Sequence, residues 1–136
     1  MKQKLKYTEL MAKHNEIGKI GEKIAKTFLM KQGFSVLETN YRTKYGEIDI
    51  IAKKDNKLRF IEVKSIEISD FSDIKNLKIV PEDNLTKEKL SKIVVSTEIY
   101  LKNRGITNEK ERQIDLACVY VDTEKQEGRV KFIENI

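Results

Sequence analysis

The sequence predicts an α/β fold: a single domain in which helices flank a mixed β-sheet, in the order αβββαββ. Three observations predict it: two stretches of helical periodicity, five runs of strand-type residues, and short links between consecutive strands. Strands joined by short links pair antiparallel, whereas the strand after the second helix can return parallel to its neighbour. A chain of 136 residues buries enough surface for one core and not for two.

Two stretches carry the periodicity of amphipathic helices. The first helix is predicted from about Asn15, a suitable N-cap, to Gln32, with Gly33 as a stop. The second is predicted from Thr86 to Asn103. The residues expected to face the core are Ile17, Ile20, Gly21, Ile24 and Phe28 in the first helix and Leu90, Ile93, Val94, Thr97 and Leu101 in the second.

Five short runs rich in β-branched and aromatic residues predict the strands, at 34–37, 46–51, 60–64, 113–121 and 129–133. The second and third form a hairpin if Asp55 and Asn56 occupy its tip, because both residue types favour tight turns. In that register Lys54 faces Lys57, and counting back places Asp49 opposite Glu62. Lys64 then shares the face of Glu62, and a slip of one residue would break the arrangement.

Asp49 and Glu62 are candidate metal ligands. Two carboxylates about 5 Å apart repel by about 3 kcal/mol at an effective dielectric constant near 20. Either one of them binds a proton or a cation lies between them, and oxygen ligands suit Mg²⁺ or Mn²⁺. A solvated strand face is the alternative. The expected position of Ile51 and Phe60 on the same face argues for a partner, since half-buried acids beside apolar neighbours require one.

Glu22 lies off the apolar arc of the first helix. On helical position alone it is either an exposed glutamate or an acid that another element approaches closely. The neighbouring Gly18 and Gly21 are expected to allow close packing of this helix on the sheet.

At these residues the chain resembles a known group of enzymes. Asp49, twelve further residues and then Glu62-Val63-Lys64 resemble the PD-(D/E)xK nucleases, which have the restriction-endonuclease-like fold. The flanking residues resemble more narrowly the YraN-like family of predicted endonucleases. The ordered blocks that carry this resemblance are Asn15-x-x-Gly18-x-x-Gly21-Glu22-x-x-Ala25, Asn40-Tyr41-Arg42, Gly46-Glu47-Ile48-Asp49, Ile61-Glu62-Val63-Lys64, Pro81-Glu82-Asp83-Asn84-Leu85-Thr86 with Lys89, and Ile133-Glu134-Asn135.

The resemblance implies a role for each matching residue. Asp49, Glu62 and the backbone carbonyl of Val63 would hold Mg²⁺ or Mn²⁺, and Lys64 would orient the attacking water and stabilise developing charge. Glu22 would complete the site or bind a second ion. Three further residues are expected around the ligands or on the substrate: the acid Glu47 two residues from Asp49, Arg42, and Lys89 in the first turn of the second helix.

Composition narrows the chemistry. The formal net charge is +5, from 27 basic and 22 acidic residues, which favours an anionic partner only weakly. His14 is the single histidine and Cys118 the single cysteine, which excludes a zinc site of the usual type and an internal disulfide. Cys118 lies in an apolar run and is expected to be buried. No apolar run long enough to span a membrane occurs, and a cytoplasmic location is expected.

The sequence thus predicts a metal-dependent nuclease, most readily a DNA endonuclease in repair, recombination or DNA processing. Residues 1–13 are expected to form a basic extension and 14–136 the nuclease-like domain; the polar segment Ser65–Asn84 is assigned no chemistry. Two alternatives stay open: a non-catalytic module that grips nucleic acid, and a structural subunit of a recombination or uptake complex. DNA or RNA as the substrate, one or two ions, and a homodimer also stay open.

Overall fold

A computed structural model describes residues 7–76, 85–107 and 111–136. Its order of elements confirms the predicted αβββαββ arrangement. The elements are helix α1 (Tyr7–Lys31), strands β1 (Ser35–Thr43), β2 (Gly46–Lys54) and β3 (Lys57–Glu67), a 3₁₀ helix (Phe71–Asn76), helix α2 (Lys87–Asn103), and strands β4 (Arg112–Asp122) and β5 (Glu127–Ile133). Within these residues, no helix is long and apolar enough to cross a membrane.

The five strands form one mixed sheet in the order β1-β2-β3-β4-β5. Among the described strands, only β3 and β4 pair in parallel. Helix α2 lies between them in the chain and returns it to the end of the sheet at which β3 begins. The other three pairs are antiparallel. This confirms the meander of the first three strands and the parallel return after the second helix.

The β2–β3 hairpin has the predicted register. Lys54 pairs with Lys57, and Asp55 and Asn56 adopt φ values of +51° and +62° at the tip. Asp and Asn tolerate the left-handed region better than other non-glycine residues, so the turn chemistry determines the register. The pairing extends to Ile50 and Ile61, and Asp49 and Glu62 follow it directly.

Each face of the sheet carries its own apolar cluster. The cluster beneath α1 is formed by Ile17, Ala25, Leu29, Phe34, Ile50, Ala52, Ile61, Ala117, Val119 and Val121. The cluster beneath α2 is formed by Ile48, Ile51, Leu58, Phe60, Tyr100 and Leu101. Cys118 is buried in β4, as expected.

The helices differ from the prediction in their ends and inner faces. Within the described residues α1 extends over Tyr7–Lys31, so Asn15 lies inside the helix and is not its N-cap, while the division of the chain at residue 14 stays a prediction. Ala25 and Leu29 are fully buried, which turns the inner face of α1 towards Glu22. In α2 the N-cap is Thr86 and the last residue Asn103, as predicted.

Two further predictions about inner faces are wrong. Val94 of α2 is 44% exposed, while Ser96 and Tyr100 occupy the buried side of that helix. Gly18 has open space around it, whereas a Cβ atom on Gly21 would lie 1.8 Å from Oγ of Ser65. Gly21 alone therefore accounts for the close approach of α1 to β3.

The segment predicted as a long polar loop is partly structured. Strand β3 continues to Glu67, and the 3₁₀ helix follows at Phe71–Asn76. Residues 77–84 lie outside the described residues, and they include Pro81–Asn84 of the motif that ends at Thr86.

A buried ion pair joins β3 to β4. Nε of Arg59 lies 2.6 Å from Oδ2 of Asp115, and both side chains are buried. Glu134 contacts the same guanidinium at 2.9 Å, and the backbone N–H of Asn135 donates to Asp115 at 2.9 Å. These bonds give the Ile133–Asn135 motif a structural role in fixing the chain after β5.

Candidate metal-binding site

An irregularity in β2 brings Asp49 close to helix α1. Ile48 packs beneath α2 and Ile50 beneath α1, although regular alternation would place residues two apart on the same face. On the neighbouring strand Asn40 has a φ of +52°, and the pairing passes from Thr39–Ile50 to Tyr41–Ile48. The pairing keeps one register across this point, so the positive φ of Asn40 and the change of face between Ile48 and Ile50 are local changes within the two strands.

The irregularity overturns one expectation. Ile51 and Phe60 lie in the cluster beneath α2, whereas the carboxyl group of Asp49 reaches Glu22 on α1. Asp49 therefore does not share the apolar surroundings of Ile51. Its neighbours are acids.

Three carboxylates converge at this point. One oxygen from each of Glu22, Glu47 and Asp49 lies within 4.8 Å of the other two. All three side chains are partly buried. Glu22 belongs to α1 and the other two to β2, so the packing of the helix on the sheet creates the group. An arrangement of carboxylate oxygens at this spacing can hold a hard divalent cation.

Asn40 holds two of these acids together. Its Nδ2 donates to Oε1 of Glu47 at 2.7 Å and lies 3.1 Å and 3.3 Å from the two carboxylate oxygens of Glu22. Arg42, directly opposite Glu47 in the β1–β2 pairing, contacts its Oε2 through Nε at 3.3 Å. The Arg42 side chain is 84% exposed, so its remaining donors face solvent.

Asp49 has a strongly perturbed carboxyl group. Burial is the main cause that raises its pKa to about 8, and the charge of Glu62 is the next. Glu22 and Glu47 raise the pKa further, while a 2.7 Å hydrogen bond from the backbone N–H of Val63 lowers it. A group of acids that holds a proton at neutral pH is one in which a cation can replace that proton.

Glu62 and Lys64 lie side by side on β3. Nζ of Lys64 is 3.3 Å from Oε1 of Glu62, and their side chains are 26% and 14% exposed. Burial raises the pKa of Glu62, and the ammonium of Lys64 opposes this rise. Asp49 is close enough to Glu62 that it also lowers the pKa of Glu62. The pair thus adjoins the three-acid group.

The site residues expected from the sequence fall into three sets according to where they lie in the fold. Glu22 and Asp49 lie in the group that could bind a cation, together with Glu47, which was expected to lie around the ligands. Glu62 and Lys64 adjoin it. Lys89 is exposed in the first turn of α2, where its N–H bonds Oγ1 of Thr86, and its contact with substrate stays a prediction, as does the Val63 carbonyl as a ligand.

Sequence reasoning missed the contribution of Asn40. This residue belongs to the Asn40-Tyr41-Arg42 block, but its side chain was assigned no role. The available signal was its residue type within a strand, because Asn is depleted in strands and tolerates positive φ.

These observations define an α/β protein with an acidic, oxygen-lined site between its first helix and its sheet. The chain belongs to the uncharacterised protein family UPF0102, which its residues 21–122 match. Every residue proposed for the site lies inside that range.

Relatives of similar length support the family assignment. A UPF0102 protein of Campylobacter jejuni is 41% identical over 119 residues, which cover 88% of this chain and 91% of that protein. One from Flavobacterium psychrophilum is 34% identical over 125 residues, covering 92% and 96%.

Two solved structures resemble the chain at low sequence identity. An fdxN element excision controlling factor protein from Anabaena variabilis is 15% identical, with a TM-score of 0.38 over 85% of this chain and 98% of its own. An XisH family protein from Nostoc punctiforme is 13% identical, with a TM-score of 0.36 over 84% and 98%.

Proposed function

We propose that this protein is a metal-dependent nuclease that hydrolyses phosphodiester bonds of nucleic acid, with DNA as its substrate. The observation that carries the proposal is the convergence of Glu22, Glu47 and Asp49 beside the Glu62–Lys64 pair. Acids alone would indicate only a cation site. An ammonium group next to them adds a group that can act on water and phosphate.

The acids suit Mg²⁺ or Mn²⁺ because every donor is a carboxylate oxygen. Such an ion, when bound, polarises a phosphate oxygen and lowers the pKa of a bound water. Glu22, Glu47 and Asp49 would hold it, and Glu62 would complete the set from β3. Asn40 would keep Glu22 and Glu47 in place, since its amide already contacts both.

Lys64 supplies the second part of the chemistry. Its ammonium lies 3.3 Å from Glu62 and is only partly exposed, so its charge is less screened than that of a surface lysine. From there it can orient the attacking water and stabilise the negative charge that develops on the phosphate. Hydrolysis by water forms no covalent link to the protein and needs no nucleophilic side chain.

The test is a cleavage assay on labelled single-stranded, duplex, flapped and four-way DNA. Each substrate is incubated with Mg²⁺, with Mn²⁺ and with chelator. We expect cleavage of at least one substrate that requires the ion and is lost in Asp49→Ala. Glu124→Ala, which removes an exposed acid in the β4–β5 turn, is the control and should cleave as the parent does.

Two outcomes would contradict the proposal. Cleavage that persists equally in chelator or in Asp49→Ala would remove the acids from the chemistry. A parent protein that binds DNA but cleaves no substrate with either ion would favour the non-catalytic binding module.

A further inference from the structure

A groove of about 850 Å³ lies between α1, the 3₁₀ helix and the start of β5. Its apolar lining includes Ile20, Ile24, Phe28 and Val130, all partly buried. Exposed cationic residues surround this lining: Lys19, Lys23, Lys31 and Arg129. The groove therefore combines an apolar floor with a basic rim.

The four cations are available to a ligand. Among the residues that the structure describes, none of the four forms an ion pair, whereas Lys13, Arg42 and Arg104 each contact a glutamate. Acids near the groove include Glu127, which lines it, and Asp70. Hydrogen bonds from Ser72 are the main cause that lowers the pKa of Asp70, and the charges of Lys125 and Arg129 lower it further. The balance is positive and favours a polyanion.

Arg129 and Phe71 form a stacked pair at one side of the groove. The guanidinium carbon lies 4.6 Å from the ring centroid of Phe71, within the range of a cation–π contact. This contact orients the guanidinium plane of an otherwise exposed arginine. Flat groups of this kind are surfaces on which nucleic-acid bases stack.

The groove is separate from the three acids. At 100° per residue, Glu22 lies about 140° to 160° around α1 from the groove-lining residues Ile20, Ile24 and Thr27, and the rim lysines Lys19 and Lys23 lie between the two sides. The acids therefore face the β1 side of the helix, and the groove faces the β5 side. Close packing maintains that second side, since a Cβ atom on Gly128 would lie 2.7 Å from Cδ1 of Ile24.

We infer that this groove binds a single strand of nucleic acid, with its phosphates on the lysines and a base against the Phe71–Arg129 pair. The choice of nucleic acid as the polyanion rests on the proposed function. A duplex presents phosphates and keeps its bases stacked inside, so it would leave the apolar floor without contacts. A single strand offers both groups, and stacking on an aromatic side chain does not depend on base identity. Substrates with a single-stranded segment are then the class that this protein holds.

The inference is tested by fluorescence anisotropy with a labelled single-stranded oligonucleotide in chelator, over a series of salt concentrations. The groove variant is Lys19→Gln/Lys23→Gln/Lys31→Gln, which removes the three lysines that line the groove. The control Lys53→Gln/Lys54→Gln/Lys57→Gln removes the same charge at the β2–β3 hairpin tip. The groove variant should lower the magnitude of the logarithmic salt slope by about two, at about 0.7 per phosphate contact, and the control should leave it unchanged.

Phe71→Ala separates stacking from charge. It should weaken single-strand binding about tenfold at an unchanged salt slope, and Phe71→Tyr should restore the affinity. Equal affinities of the groove variant and the control would overturn the inference, as would equal losses for duplex and single strand. If the groove variant loses binding to phosphatidylglycerol vesicles but retains single-strand binding, the groove is instead a membrane-facing surface.

These measurements need no metal ion and no cleavage, so they distinguish the inference from the proposed function. If the parent cleaves nothing but the groove variant loses single-strand binding, the proposed function fails and the groove assignment stands. If the parent cleaves and the groove variant binds single strands as tightly as the parent does, the groove assignment fails alone.

Discussion

The backbone N–H of Val63 donates a 2.7 Å hydrogen bond to Oδ2 of Asp49. This bond connects the acid of β2 to the Glu62-Val63-Lys64 segment of β3, one step beyond the last regular pair of the hairpin. It also occupies one oxygen of a carboxyl group whose pKa burial raises to about 8. This hydrogen bond thus links Asp49 directly to β3, the strand that bears Lys64.

Replacement of Asp49 or Glu62, which follow the last pair of the β2–β3 hairpin, should weaken metal binding and leave the fold intact. Asp49→Ala and Glu62→Ala should abolish cleavage and weaken divalent-ion binding, because each removes an oxygen donor next to the others. Above a pH of about 8, where both carboxyl groups are charged, they repel by about 3 kcal/mol, so the thermal stability of the ion-free protein should hold or rise there. Calorimetric titration with Mn²⁺ and thermal melting in chelator measure both effects. Unchanged affinity for the ion in both variants would refute a shared site.

The stability of the ion-free protein should depend on pH with a defined sign. The pKa of Asp49 is raised from 3.8 when unfolded to about 8 when folded, so the folded state binds more protons between these values. The free energy of unfolding should therefore fall as pH rises from about 4 to about 8. Burial raises the pKa of Glu62 as well, which adds the same sign. Asp49→Asn should flatten this slope in denaturant titrations, and a parent slope of the opposite sign would contradict the assignment.

Lys64→Ala should affect cleavage and leave ion binding intact. The ammonium is not a ligand, and loss of its positive charge beside Glu62 should hold or improve affinity for Mn²⁺. Loss of a group that acts in the transition state typically costs about 10² or more in rate. Single-turnover cleavage and calorimetry on one preparation give both numbers. If the variant cleaves at the parent's rate, Lys64 is a surface lysine that takes no part in cleavage.

Asn40 should act by positioning Glu22 and Glu47. Asn40→Gly removes the amide while keeping a residue that adopts a φ of +52° without strain. We expect about a tenfold loss of Mn²⁺ affinity, as is typical when a group that orients a ligand is removed. Asn40→Ala should lose the same affinity and, in addition, stability, because alanine is strained at this φ. If Asn40→Gly binds the ion as the parent does, the two acids need no amide to hold them.

Lysines of the second helix should contribute to duplex binding more than those of the hairpin tip. Lys87, Lys89 and Lys92 lie in the first turns of α2, whose N-terminal dipole also favours phosphate. Their triple replacement by Gln should lower the logarithmic salt slope by about one for each lost contact. The hairpin-tip triple at Lys53, Lys54 and Lys57 is the charge-matched control. Identical slopes for the parent and both variants would exclude α2 from the DNA-binding surface.

Local patterns in the sequence determined helix α2, the register of the β2–β3 hairpin and the place of Lys64 beside Glu62. Helical periodicity and a Thr N-cap define α2 at Lys87–Asn103, and the Asp55–Asn56 turn defines the hairpin register. That register brings Asp49 next to β3, and the period of two along a strand places Lys64 beside Glu62. These features depend on residues near one another in the chain, which is why the sequence alone predicts them.

The three-acid group was decided by tertiary structure. Its members lie on different elements, and their meeting depends on how α1 packs on the sheet. Gly21 admits Ser65 against the helix, and the buried Ala25 and Leu29 turn the face that bears Glu22 towards Asp49. Helical periodicity had placed Glu22 off the apolar arc of α1, because it sorts side chains by hydrophobicity and not by how closely two backbones can approach.

The break in strand alternation is the second feature that only the tertiary structure reveals. Asn40 at a φ of +52° and the different faces of Ile48 and Ile50 redirect the Asp49 carboxyl group towards α1. The period of two along a strand holds only while the ladder is regular. The sequence identified the acids and the lysine; the helix packing and this irregularity determined which of the acids meet.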